Sequence, residues 1–108
     1  MIARIWRGAT AAQDADAYLD YLDRTGVAEC RGTSGNHGVM VLRRPVGTET
    51  EFLFISYWDR EASIRAFAGD DIERARFYPE DDRFLTQRDE QVHHFTVDRD
   101  VEQVKTGA

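Results

Sequence analysis

The chain has 108 residues, a net charge of −6, 42% hydrophobic and 11% aromatic side chains. That is enough for one globular domain, too little for two sound cores, and inconsistent with a disordered chain. The acidic balance argues against a nucleic-acid phosphate track and against docking on anionic lipid, so no nucleic-acid or membrane partner is expected.

Residues 2–8 read as a strand, with Ile2, Arg4 and Trp6 on one face and Ala3, Ile5 and Arg7 on the other, ended by Gly8 and Ala9. Thr10 to Gln13 has the form of a capping box. Ala15, Tyr18, Leu19 and Leu22 follow at helical spacing, and Gly26 stands where a helix C′ residue belongs. The single cysteine, Cys30, excludes an intrachain disulfide and reads as a small buried side chain in a reducing, cytoplasmic setting. The N-terminal MIARIWRG lacks a signal-peptide core, and no run approaches the ~18 apolar residues of a membrane span.

Residues 31–38 contain three glycines but no following Lys-Ser or Lys-Thr, so they predict a turn and not a phosphate cradle. A strand over 39–44 leads through a hairpin loop, 45–49, into EFLFISYW, residues 51–58, the densest apolar stretch of the chain. Its alternation sets Phe52, Phe54, Ser56 and Trp58 against Leu53, Ile55 and Tyr57. Asp59 is placed to cap a second helix carrying Ile64, Phe67 and Ala68, closed by Gly69. Asp70 or Asp71 is expected to cap a short helix with Ile72 and Ala75, stopped by Pro79. Residues 79–82 read as an exposed acidic turn, 83–89 as ambiguous, and 91–97 as a last strand. The polar tail, 98–108, is expected to fray, with Val101 and Val104 docking weakly at most.

The order β-α-β-β-α-β predicts an α+β fold: one ferredoxin-like antiparallel sheet with both helices on one face, in a domain spanning 1–97. The expectation is that Ala3, Ile5, Leu53, Ile55, Tyr57, Phe95 and Val97 meet the helices. Ile2, Arg4, Trp6, Phe52, Phe54, Ser56, Trp58, Val92, His94 and Thr96 would then form a bare aromatic face. Such a face exceeds what monomers usually leave in water, so a homodimer is expected to cover it. An aromatic wall with a few polar groups suits a pocket for a small apolar or aromatic ligand; it equally suits a filled dimer interface.

Three stretches carry a family resemblance: MIARIWRG; the hairpin GVMVLRR with EFLFISYWD; and AFAGDDIERARFYPEDDRFL closing on VHHFTV. Together they resemble the antibiotic biosynthesis monooxygenase family of dimeric α+β barrel proteins. The resemblance implies a face-to-face dimer and a pocket on each protomer, between sheet and helices or at the barrel mouth. For some members it also implies oxygenation of polyketide-like aromatic substrates without cofactor or metal. On that footing His94 is the catalytic base, and Tyr78 or Arg4 stabilises the oxyanion. Trp6, Phe54, Ser56, Trp58 and Phe77 line the substrate site with Arg4. Other members degrade haem with a first-strand asparagine, a third-strand tryptophan and a helix histidine. Here only Trp58 matches; Trp6 and Phe77 stand near the other two positions, so no haem cofactor is expected. His93 and His94 point to opposite faces of a strand and cannot share one metal ion. The rival reading is a non-catalytic dimer of the same fold that binds a small molecule or a partner. RNA-recognition domains share the element order, but the aromatic RNA-binding signature is missing from the third strand.

Overall fold

The computed structural model describes residues 1–101. Strand β1 (Ile2–Ala11) is followed by a turn of 3-10 helix and by α1 (Ala15–Leu22), which runs through a π turn, Asp23–Val27, into α2 (Ala28–Arg31). The hairpin β2 (Asn36–Val46) and β3 (Glu49–Trp58) leads to α3 (Glu61–Ala68). The chain closes with α4 (Asp81–Phe84), β4 (Leu85–Arg88) and β5 (His93–Thr96). The sheet order is β2-β3-β1, with β4 and β5 both pairing antiparallel to β1. The expected last strand, 91–97, is the short β5, and the ambiguous stretch 83–89 supplies the end of α4 and an additional short strand, β4. Between β4 and β5 the backbone leaves the ladder, and Asp89 accepts the Trp6 indole N–H at 2.9 Å. The antiparallel α+β architecture is the expected one. No helix among the described residues is long and apolar enough to cross a membrane.

The two faces of the sheet are exchanged relative to the expectation. Phe52 and Trp58 are 0% exposed, and they pack against the chain's own helices: Phe52 against Tyr18 and Leu22 of α1, Trp58 against Ile64 and Phe67 of α3. The Tyr18 and Phe52 rings meet edge to face at 5.1 Å. The large rings fill the layer between sheet and helices, and the smaller Leu53 and Ile55 lie on the opposite face. The outer face therefore carries Ile5, Met40, Leu42, Leu53, Ile55, Tyr57 and Phe95, with Leu42 and Phe95 exposed. One end of that face is polar, where Glu51 takes both Arg7 and Arg44 at 2.6 Å.

Several local expectations also give way. Thr10 is buried in β1 and donates to the Ala11 carbonyl, so it caps nothing. Gly26 does not end the first helix. It is buried inside the π turn, where an added Cβ would sit 3.2 Å from the Phe54 ring, so its missing side chain lets that turn approach the sheet. The helix expected around Ile72 and Ala75 is a single turn, closed by Arg74 N–H on the Asp71 carbonyl, followed by backbone without regular structure. Ala75 N–H donates to the Glu90 carbonyl and Val92 N–H to that of Glu73, and these pairings with the break between β4 and β5 satisfy groups a helix would have used. The acidic turn is not wholly exposed, because Asp81 is buried. Val101 is exposed, and Val104 with most of the expected tail lies outside the described residues.

Candidate functional site

The segment 69–80 has no regular secondary structure and crosses the helical side of the sheet. Between it, α1 and the inner face lies a cavity of about 50 Å³. Its walls are aromatic and aliphatic: Trp6 and Phe54 from the sheet, Tyr18 and Leu22 from α1, Phe67 from α3, Phe77 and Tyr78 from the crossing segment. The polar groups are few: Arg4, Ser56, Arg76, Tyr78 and Asp81.

Arg4 is the dominant charge. It is 4% exposed and has no carboxylate partner among the described residues. Its guanidinium donates to the main-chain carbonyls of Ile72 and Arg74. A third contact runs to His94 Nε2 at 3.1 Å. Arginine can only donate, so this imidazole nitrogen accepts and the ring is held neutral with its proton on Nδ1. Burial pulls the Arg4 pKa down to about 10, which still leaves it charged at neutral pH. An isolated buried cation is costly, and carbonyl dipoles offset only part of that cost.

Tyr78 is the second unusual group. Its hydroxyl is buried without a hydrogen-bond partner among the described residues. Burial pushes its pKa up to about 12, so it stays a neutral donor. The Arg76 guanidinium stacks over both the Tyr78 and Phe67 rings, 5.1 Å from each centroid. Buried polar groups without partners are rare in native proteins, and Tyr78 lines the same aromatic cavity as the carboxylate-free Arg4.

Of the eight residues expected at the site, six line this cavity: Arg4, Trp6, Phe54, Ser56, Phe77 and Tyr78. Trp58 lies behind the wall, its indole donating to Ser56 Oγ at 2.8 Å and its ring tilted on Phe67 at 5.6 Å. His94 stands beyond Arg4, off the lining, half-buried, with its acceptor nitrogen taken. Burial first, then the Arg4 charge, lowers its pKa. That geometry differs from a base reaching into the cavity.

Asp81 was missed in the sequence. It is 5% exposed, lines the cavity and forms no ion pair among the described residues. One carboxylate oxygen accepts the Tyr78 N–H at 2.6 Å. The next N–H, of Glu80, donates to the Tyr21 hydroxyl at 2.9 Å, tying the turn to α1. Desolvation raises the Asp81 pKa above the usual carboxylate range. One signal was available: Phe84 follows Asp81 by three residues, the spacing of one helical face, and Phe84 is a core residue.

Comparison with known proteins bears on the fold. No protein-family model and no curated protein matches the sequence. Solved structures do. A candidate antibiotic biosynthesis monooxygenase from Bacillus cereus superposes with a TM-score of 0.64 at 15% identity, over 95% of this chain and 98% of that one. The chain has the fold of these proteins. The haem degrader MhuD of Mycobacterium tuberculosis, with two haems in its active site, superposes at 0.59 and 19% identity over 94% of this chain and all of its own. A MhuD mutant with two manganese protoporphyrins per active site also gives 0.59, at 18% identity, covering 95% of this chain. Haem does not suit the cavity described here. No histidine lines it, and its phenols are neutral, so it offers no ready axial ligand for iron.

The position of Asp81 sets a measurable cost. Its folded pKa lies above the unfolded value of about 3.9, so ionisation at neutral pH destabilises the native state and that cost fades as pH falls through the folded pKa. Asp81→Asn keeps an acceptor for the Tyr78 N–H and removes the charge. Thermal melts are expected to show it a few degrees more stable than wild type at about pH 7.5, the gain shrinking toward about pH 4. A variant less stable at every pH would contradict an uncompensated carboxylate.

Proposed function

We propose that the chain is a small-molecule oxygenase that needs no cofactor, acting on an aromatic or polyketide-like substrate whose anion it stabilises. The observation that carries this reading is the pairing of a buried, carboxylate-free Arg4 with the orphaned Tyr78 hydroxyl in one aromatic cavity. Flat walls bind a ring system, and a guanidinium and a phenol O–H in a dry site hold the negative oxygen of an enolate or phenolate. Dioxygen is the co-reactant. A ring CH₂ loses a proton, the carbanion–enolate passes its electrons to O₂, one oxygen atom becomes the ring carbonyl and the other leaves as water. His94 acts through Arg4, fixing its guanidinium. The superposed monooxygenase candidate supports this reading at the level of fold.

The cavity of about 50 Å³ holds a few waters and is well below the roughly 300–1,000 Å³ of a drug-sized site. Admission of a ring system therefore requires the segment 69–80 to swing outward, with Gly69 at φ +93° as a hinge point. The homodimer expectation is kept with a different face. The outer set Ile5, Met40, Leu42, Leu53, Ile55, Tyr57 and Phe95 is the apolar surface without cover in the protomer, and a second copy is its occupant.

Two measurements test these readings. Oxygen uptake with an anthrone-like substrate, without flavin or metal, is expected in wild type and to fall about 10²-fold or more in Arg4→Met; equal rates in the two would remove Arg4 from the chemistry. Sedimentation at micromolar concentration is expected to give a dimer, and Ile55→Asp a monomer; a wild-type monomer would leave the outer face unexplained.

A further inference from the structure

Resting on the reading of this cavity as a site for an ionisable ring compound, we propose that Asp81, not His94, is the group that takes the substrate's proton. A base must reach the ligand with a free lone pair. His94 is off the cavity lining and its acceptor nitrogen is engaged by Arg4 at 3.1 Å. A proton added there would face a guanidinium that is itself buried. Asp81 lines the cavity, is almost fully buried, and uses only Oδ2, on the Tyr78 N–H. Oδ1 accepts no hydrogen bond among the described residues.

The same hydrogen bond couples base and anion holder. Asp81 is anchored to the main chain of the residue whose hydroxyl lacks a partner. A ligand between Asp81 and the Arg4–Tyr78 pair would give up a proton at one side and keep the electrons at the other. The step balances: the ligand O–H or C–H bond breaks, the proton goes to Asp81 Oδ1, and the electron pair stays on the ligand as phenolate or enolate. Net cavity charge does not change, which suits a site closed to water.

The charged and titratable groups facing Asp81 are known. Tyr18 approaches from α1, and Asp82 is its neighbour in the turn. Arg88 of β4 is engaged with Asp82 Oδ1 at 2.5 Å and also weighs on Asp81. Arg4, Arg76 and Tyr78 line the same cavity. Desolvation is the largest influence, and it raises the carboxylate's pKa, making it a stronger base than a solvated one.

The test uses 4-nitrophenol, a one-ring acid whose phenolate alone is yellow, at about pH 6 where the free probe is mainly neutral. Wild type is expected to bind it in ionised form, with the phenolate-to-phenol ratio raised about tenfold or more over free probe, a shift of about one pKa unit. In Asp81→Asn any phenolate held by Arg4 and Tyr78 is expected to form only with release of its proton to the buffer, and Glu80→Gln is expected to behave as wild type. Calorimetry of wild type in two buffers of different ionisation enthalpy supplies a readout that needs no variant. Proton transfer to Asp81 releases close to none to the buffer, whereas ionisation driven by Arg4 and Tyr78 alone releases about one per probe bound. Probe bound colourless by wild type, ionised by wild type with full proton release, or ionised by Asp81→Asn with no more proton release than wild type overturns the role of Asp81 and leaves the cavity a ligand site. No binding at all overturns the cavity reading and this inference with it.

Discussion

Everything in this small protein depends on a layer of rings pressed between one sheet face and the helices. Phe52 and Trp58 exclude water completely, and Phe54 packs against both halves of the core they anchor. Burying each such ring contributes on the order of 2–3 kcal/mol, a large share of the stability expected of a domain this size. The layer is discontinuous, however. Ser56, between Phe54 and Trp58 on the same face, and Arg4, its partner in the sheet register, replace two apolar side chains, and the cavity opens beside them. A polar interruption in an otherwise dry core weakens the core and provides the place where charge can matter.

The electrostatics follow from that dryness. The Arg4 guanidinium would be screened to near irrelevance at the surface; inside the ring layer its field reaches any ligand at nearly full strength. The protein holds it with main-chain carbonyls and an imidazole instead of a carboxylate, so the charge is positioned without being neutralised. Asp81 is treated alike: one main-chain N–H holds it, it forms no ion pair among the described residues, and Arg88 favours its charge only through its field. Two opposite charges, each oriented by backbone and left unpaired, line one small aromatic cavity.

The first three strands and their antiparallel pairing were legible because they alternate, and α1 and α3 because each shows a clean stripe. The orientation of the sheet was not, because alternation tells which residues share a face but never which face meets the helices. Both faces of 51–58 are apolar, so hydrophobicity could not choose between them. The candidate site survived that inversion: Arg4, Trp6, Phe54 and Ser56 share a face by strand parity, whichever way it points. Asp81 was hidden for another reason. An acidic Pro-Glu-Asp-Asp stretch reads as solvated turn, and only its tertiary tie to α1 through Tyr21 turns one of its carboxylates inward. Gly26 misled in the same way, since a buried glycine serving a close approach resembles a helix-ending glycine in sequence.

The central claim, that the ring layer is covered by the chain's own helices, is tested most directly by the fluorescence of Trp58. In a Trp6→Phe background it is the sole tryptophan. The structure predicts blue-shifted emission that acrylamide hardly quenches, unchanged when the protein is monomeric. Red-shifted, freely quenched emission in the monomer would mean that the rings face outward, and would contradict the account.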